Sequence, residues 1–313
     1  YDLSRMLFIT TANVLDGIPG PLRDRMEIIH LPGYTQEEKL QIARRYLVGR
    51  QIDQNGLKQG QIELSDPALM ALIRDYTREA GVRSLERQIA AVCRRAAVNI
   101  AEGTQSAMRF EESDLTGILG PSKFDNEVAL RTGLAGVATG LAWTPVGGDI
   151  LFVEASRTSG DGKLILTGQL GEVMKESAQA ALTLVKTHAG SLGIDGDCFE
   201  KCSVHVHVPA GAIPKDGPSA GVAMFVALAS LFTDRPVRND TAMTGEISLR
   251  GLVLPVGGIK DKVLAAMRAG IERVMLPARN RRDLEEVPEE AKKRLEFVFL
   301  ENVEDAVRHA IAR

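Results

Sequence analysis

Aromatic residues are scarce in this 313-residue sequence, at 4% with a single tryptophan, which argues against a surface built to stack nucleic-acid bases. Cysteines number three, Cys93, Cys198 and Cys202, without a CxxC pair, so neither a disulfide framework nor a thiolate zinc site is expected. They fit idle thiols in a reducing compartment, and a cytoplasmic location is expected. The four-residue spacing of Cys198 and Cys202 leaves a local pair open. No apolar run reaches the ~18–20 residues that span a bilayer; the longest, GVAMFVALASLF from Gly221 to Phe232, suits a buried core helix. No basic segment leads into an apolar signal core. Charge of one sign is also missing: 38 Lys and Arg against 41 Asp and Glu give a net −3, which does not support a nucleic-acid or membrane-surface binder. With 44% hydrophobic and 25% charged residues, disorder, collagen and low-complexity scaffolds are excluded, and an ordinary globular protein of about two domains is expected. The sequence opens at Tyr1 without Met, straight into the strand-like LFITT, and reads as a fragment of something longer.

The first third reads as small and mostly helical. Residues 7–11 suggest a buried strand ending at Asn13, followed by a Gly/Pro-rich turn and the short strand MEIIHL. Thr35 with Glu38 three residues later forms a capping-box pattern ahead of an amphipathic run. Helices are expected at about 66–79 and 83–102, with a short one at 111–119. Residues 120–130 read as a boundary. Beyond it, short β-rich runs with glycine punctuation (GLAGVATGLAW, GGDILFVEAS, GKLILTG, KCSVHVHVP, TAMTGEISL, RVMLP, FVFL) interleave with helices at about 171–192, 218–233 and 258–270. Strands and helices mix without strict alternation, which predicts an α+β fold. The two-sign run 279–294 reads as a solvated face.

The densest chemical signal is VHVHVPAGAIPKDGPSAGVAM, residues 204–224. An alternating strand runs into a Pro/Gly loop, and Ser219 opens an apolar helix. Serine at that place is a favoured N-cap. It also suits a nucleophile on a tight turn whose helix-start amides bind an oxyanion, although the pattern is not GxSxG. A serine nucleophile needs a base. His205 and His207 share one face of their strand and are candidates on paper. Lys260 and Lys262 are the others, in the first turn of a helix after two glycines. The positive helix N-terminus and burial both depress a lysine pKa toward the neutral amine that a base must be. Spacing alone does not choose between the two lysines.

PKDGPSAG and MTGEISLRGLVLPVGGIKDK, with GLAWTPVGGDILFVE and GQLGEVMKES upstream, resemble the Lon family of ATP-dependent proteases over residues 120–313. The resemblance implies a Ser–Lys dyad of Ser219 and Lys262, and it alone selects Lys262 over Lys260. The first 120 residues look like the end of a Lon AAA+ module, which would make Asn13 sensor-1, Arg25 the arginine finger and Arg83 the sensor-2 arginine. The implied division is a remnant of the AAA+ α/β subdomain at 1–32, a helical lid at 33–120 and a protease domain at 121–313. Yet no GxxxxGK[ST] phosphate loop exists in the sequence, and SGDGKL at 159–164 lacks both the spacing and the following Ser or Thr. ATP and Mg²⁺ serve the full-length family. This chain is expected to need no cofactor or metal and to cleave peptides or unfolded protein without ATP.

On that reading neutral Lys262 takes the Ser219 proton, and amides near Gly217–Ser219, with that of Asp216, hold the oxyanion. Thr244 would orient the lysine, while Glu246, Glu154 and His207 shape or close the site. Asp216 is alternatively inhibitory when the turn is collapsed. The resemblance further implies unfolded or damaged polypeptide substrates and a homohexameric ring, with no membrane or nucleic-acid partner. A non-catalytic Lon-like assembly or binding module is the competing reading, and one lacking the combined serine and helix-start lysine.

Overall fold

The computed structural model describes residues 2–12, 18–29, 33–77, 79, 81–104, 106–122, 133–144, 147–209 and 216–311. The chain divides into two compact units, Tyr1–Pro32 and Gly33–Arg313. The first contains one helical turn, Gly20–Arg23. The expected buried strand at 7–11 is absent, and Leu7 and Ile9 are 87% and 85% exposed. A strand needs a neighbour to satisfy its amides and cover its side chains, and this unit offers none among the described residues. Met26–Ile29 likewise form no strand, and the rest of MEIIHL, like Asn13, lies outside the described residues.

The second unit opens with helix α1, Gln36–Ile42, and both halves of the capping box are made: Thr35 Oγ1 accepts from Glu38 N, and Glu38 Oε2 accepts from Thr35 N. Helical backbone continues to Gln54. Helix α2 spans Asp66–Asp75, capped by Ser65, and α3 spans Arg83–Ala101. Helix α2 stops short of the expected 79 because Thr77 Oγ1 folds back onto the carbonyls of Leu72 and Ile73, which would otherwise continue the ladder. A two-stranded parallel pair, β1 (Ile62–Leu64) and β2 (Met108–Phe110), and α4 (Leu115–Leu119) complete a core around Leu72, Leu85, Ile89 and Leu115.

From Val137 onward the fold is a seven-stranded mixed sheet. Its strands are β3 (Val137–Thr144), β4 (Gly147–Ser159), β5 (Leu164–Thr167), β6 (Cys202–His207), β7 (Thr241–Met243), β10 (Arg273–Pro277) and β11 (Glu296–Leu300), in the order β11-β10-β7-β3-β4-β6-β5. The β3–β4 and β4–β6 pairs are antiparallel and the others parallel, so the architecture is α+β. A separate small hairpin pairs β8 (Glu246–Ile247) with β9 (Val253–Leu254). Helices α5 (Glu172–Thr187), α6 (Gly221–Thr233) and α8 (Val303–Ala310) share one core with Ala138, while α7 (Ile259–Arg268) packs with Leu141 in another. The expected helix at 171–192 breaks at His188 and resumes at Ala189–Leu192. Helix α6 is apolar all round and buried along Gly221–Phe232, as a central core helix must be.

Two further departures matter for the site. TAMTGEISL, expected as one strand, splits at Thr244–Gly245 into β7 and β8, which belong to different sheets. Within the supposedly solvated run 279–294, Asn280 is buried, and its amide pairs with both backbone groups of Val256. Cys198 and Cys202 are free thiols, with Cys202 Sγ donating to the Cys198 carbonyl. Burial pushes the Cys93 thiol up to about 11, which keeps it inert.

Candidate active site

Three breaks in regular structure meet at one place. The loop after β6 ends in a turn, Pro218–Ala220, that leads into α6 and carries Ser219. The β7–β8 break carries Thr244. The left-handed Gly258 (φ +71°) starts α7, four residues before Lys262. A side chain at Gly258 would be strained by that φ and would strike Trp143. At Gly148 an added Cβ would sit 2.0 Å from the Asp261 carbonyl oxygen, so α7 lies directly on the β4 backbone. Trp143 Nε1 donates to Asp261 Oδ2 (3.2 Å) and Arg268 donates to the Gly148 carbonyl (2.7 Å), fastening the same helix at both ends.

Lys262 is 2% exposed, and burial lowers its ammonium pKa to about 8. Its Nζ donates to Thr244 Oγ1 at 3.2 Å, and that hydroxyl donates to the Ser219 carbonyl at 3.2 Å. The Gly245 amide donates to the same carbonyl (2.9 Å), and Val222 N donates to the Gly245 carbonyl (3.1 Å). The β7–β8 break therefore grips the start of α6 while its threonine holds the lysine. No bond from Lys262 Nζ to Ser219 Oγ is present among the described residues. Both residues instead line one cleft of about 580 Å³, walled by Trp143, Ile150, Met174, Pro255 and Val256.

Of the residues singled out in the sequence, Asp216, Gly217, Ser219, Glu246 and Lys262 line this cleft, and Thr244 is buried behind it. Asp216 Oδ1 accepts from Met174 N (3.1 Å) and Gly217 N (2.9 Å). It thereby caps α5, whose own N-cap, Gly171, has no side chain to do so. Lys260 is half-buried and does not line the cleft. His207 and Glu154 are cross-strand partners on β6 and β4 and also do not line it. The Thr167 hydroxyl bridges His205 Nε2 (2.8 Å) and His207 Nδ1 (2.7 Å), tying β5 to β6. Arg25 is exposed in the first unit, and Arg83 is exposed at the start of α3 in the second. SGDGKL connects β4 to β5, strand to strand, so no helix N-terminus follows on which a phosphate rests. The SGDGKL segment therefore does not make a nucleotide cradle. Among the described residues no group of three or more His, Cys, Asp or Glu side chains is arranged to hold a metal ion.

Sequence reasoning gave no role to Trp143, Met174, Asp149 or Asn280. Trp143 had one available signal, being the single tryptophan of an aromatic-poor chain. Asn280 had none, since its contact with the wall residue Val256 spans 24 residues.

An α+β domain behind a helical segment, with a hydroxyl and a buried amine on one cleft, has clear relatives. Residues 109–313 match the Lon protease (S16) C-terminal proteolytic domain, which places the domain in a peptidase class, and residues 53–108 match the Lon protease AAA+ ATPase lid domain. The chain belongs to the Lon protease family. It is 66% identical over 310 residues to the Lon protease of Methylocella silvestris, covering 99% of this chain and 38% of that protein. It is 64% identical over 311 residues to that of Paraburkholderia phytofirmans, covering 99% and 39%. To that of Syntrophus aciditrophicus it is 58% identical over 313 residues, covering 100% and 40%. The chain thus spans about two-fifths of the length of these curated relatives.

Proposed function

We propose that the chain is the proteolytic end of an ATP-dependent serine endopeptidase, with Ser219 as nucleophile and Lys262 as general base. The observation that carries the reading is the buried Lys262 amine, pushed to about 8, hydrogen-bonded to Thr244 and lining the same cleft as Ser219. A base must present a lone pair near working pH, and burial without a neighbouring carboxylate supplies it. Thr244 has one hydroxyl hydrogen. Because it goes to the Ser219 carbonyl, the oxygen lone pair faces Lys262 and orients the amine. For the reaction Oγ of Ser219 must meet Nζ of Lys262 within the cleft that both line. Neutral Lys262 accepts the Oγ proton as Oγ attacks the peptide carbonyl. The resulting ammonium protonates the leaving amine, and water resolves the acyl-enzyme with the same lysine as base.

The oxyanion donors differ from the broad set that the sequence suggests. Pro218 has no N–H and the Gly217 amide is committed to Asp216, so of the Gly217–Ser219 amides that of Ser219 is the one left to meet the oxyanion, with the Asp216 amide as the second donor of the reading. Asp216 in this arrangement is a cap on α5, a role that fixes the loop.

We read residues 1–32 as the end of an AAA+ α/β subdomain, 33–120 as the lid and 121–313 as the protease domain. Asn13, Arg25 and Arg83 are then nucleotide-sensing residues of a site that this chain does not complete. Peptide cleavage by the chain needs no nucleotide or metal. Its substrates are unfolded or damaged polypeptides, its assembly is a homohexamer, and its location is the cytoplasm. No helix among the described residues is long and apolar enough to cross a membrane. The test is hydrolysis of a fluorogenic peptide and of an unfolded protein by the chain and by Ser219→Ala, without nucleotide. Loss of both activities in the variant supports the reading, and equal turnover by the two proteins rejects it.

A further inference from the structure

One stretch of the cleft wall is held by a buried side chain that the proton chemistry does not use. Pro255, Val256 and Gly257 join β9 to α7 and line the cleft, and Gly257, having no side chain, lines it with backbone alone. Asn280 does not line the cleft; it is 2% exposed, in the helical segment Ala278–Glu286 that follows β10. Its Oδ1 accepts from Val256 N (3.0 Å), and its Nδ2 donates to the Val256 carbonyl (2.8 Å) and to Asp283 Oδ2. With both Nδ2 hydrogens committed, the carboxamide is fixed in one orientation. It pairs both backbone groups of a single residue, as a neighbouring strand would.

The next groups along the chain are left pointing outward. A trans peptide unit directs its C=O and N–H in opposite senses. Because Val256 N–H and C=O both turn onto Asn280, the Pro255 carbonyl and the Gly257 N–H face away from that buried side. Neither has a hydrogen-bond partner among the described residues. Pro255 and Gly257 are also exposed where they line the cleft. An acceptor and a donor flanking one extended residue form a short open strand edge, which pairs with another extended chain through its main chain.

We infer that the Pro255 carbonyl and the Gly257 N–H are a substrate-binding edge, on which an extended polypeptide segment beside the scissile bond pairs its own amide and carbonyl. Asn280 is the positioning residue that turns this edge outward. The inference rests on the reading that Ser219 and Lys262 cut peptides in this cleft, and it names how that site holds its substrate. Main-chain pairing recognises what every polypeptide has in common, so side-chain sequence matters little to it. A folded segment has the same groups already paired and offers nothing to the edge.

The experiment uses quenched-fluorescence peptides of one sequence in which each backbone amide other than the scissile one is N-methylated in turn. For the unaltered chain, methylation at one position near the scissile bond should lower kcat/KM by about 10–100-fold, through KM. Gly257→Pro deletes the donor of the edge. Gly257 is not in the left-handed region, an added Cβ there meets nothing within 4 Å, and the extended Val256 before it suits a proline. This variant should raise KM about tenfold while the pH–rate limb near 8 stays in place, because Lys262 is untouched. Asn280→Leu should raise KM and shrink the methylation penalty. Where that buried substitution prevents folding, Gly257→Pro, at an exposed site, carries the test. Equal kcat/KM for all the methylated peptides, or a penalty that accompanies an unchanged KM in Gly257→Pro, overturns the inference. Anisotropy of the same peptides bound to Ser219→Ala reads the pairing without turnover. Cleavage persisting in Ser219→Ala removes the catalytic reading, while the anisotropy pattern still decides the edge.

Discussion

Among the described residues two lysines are buried in the second unit, Lys39 in the helical segment and Lys262 in the α+β segment, and both have ammonium groups lowered to about 8. Their surroundings differ. Burial lowers Lys39 most, the Arg268 cation lowers it further, and Glu79 opposes both. Its Nζ donates to the Glu79 carbonyl, while the Glu79 carboxylate accepts the Ser84 and Leu85 amides at the start of α3. Lys39 is therefore a fastener between α1 and the start of α3. Lys262 has burial as its cause, a hydroxyl as its partner and a serine on the same cleft. A depressed pKa marks a buried amine; a nucleophile sharing its cleft is what gives that amine chemistry to do.

The comparison breaks first on activity. Ser219→Ala and Lys262→Met are each expected to reduce peptide hydrolysis by about 10³-fold or more, to background. Lys39→Met should stay within roughly threefold of the unaltered chain, since nothing near it reacts. A large loss from Lys39→Met with Lys262→Met still active would reverse the assignment.

Thr244→Val is expected to lower kcat by about 10–100-fold, whereas Thr244→Ser keeps most of it. The valine variant removes the hydroxyl that accepts from the ammonium, so the charged form loses a partner and the Lys262 pKa falls further. Its pH–rate profile should accordingly shift to lower pH. An unshifted profile would reduce Thr244 to a strand-end residue.

The pH dependence of the unaltered chain follows from the same amine. The base works neutral, so kcat/KM should rise tenfold per pH unit below about 8 and level off above it, and this limb should be unchanged in Lys39→Met. A profile flat from pH 6 to 9 would exclude Lys262 as the base.

The smallest effects are on stability, read by urea unfolding. At pH 7 the folded chain carries a charged Lys262 at a cost of roughly 3 kcal/mol relative to the unfolded chain, from the fall of 10.5 to about 8. Lys262→Met should recover about 1–3 kcal/mol of this. Between about pH 8 and 10.5 the unfolded chain binds a proton that the folded chain does not. The stability of the unaltered chain therefore rises across that window and the advantage of the methionine variant shrinks. Lys39→Met should gain less, because it strands the Glu79 carbonyl that Lys39 now satisfies.

Several elements were legible because their signals are local. The Thr35–Glu38 capping box and the apolar stretch of α6 need only neighbours within one or two helical turns to declare themselves. The errors have the opposite cause. LFITT has the composition of a strand but no partner among the described residues of its unit. TAMTGEISL reads as one strand, yet the Ser219 carbonyl takes the Gly245 amide and the Thr244 hydroxyl and breaks it in two.

The sequence by itself determined the α+β class and the main helices, because periodicity and caps are written in neighbouring residues. Its motifs carried the family, and through that resemblance the proposal of Ser219 and Lys262 as the dyad. Only the tertiary structure decided which side chains meet. It put Thr244 between Lys262 and the Ser219 backbone, turned Asp216 onto a helix 42 residues away and left His207 bridged to Thr167 outside the cleft. Contacts of that kind depend on which strands pair and how closely helices lie on the sheet. Residue spacing along the chain does not encode them; burial and backbone hydrogen bonding do, once the whole sheet has formed.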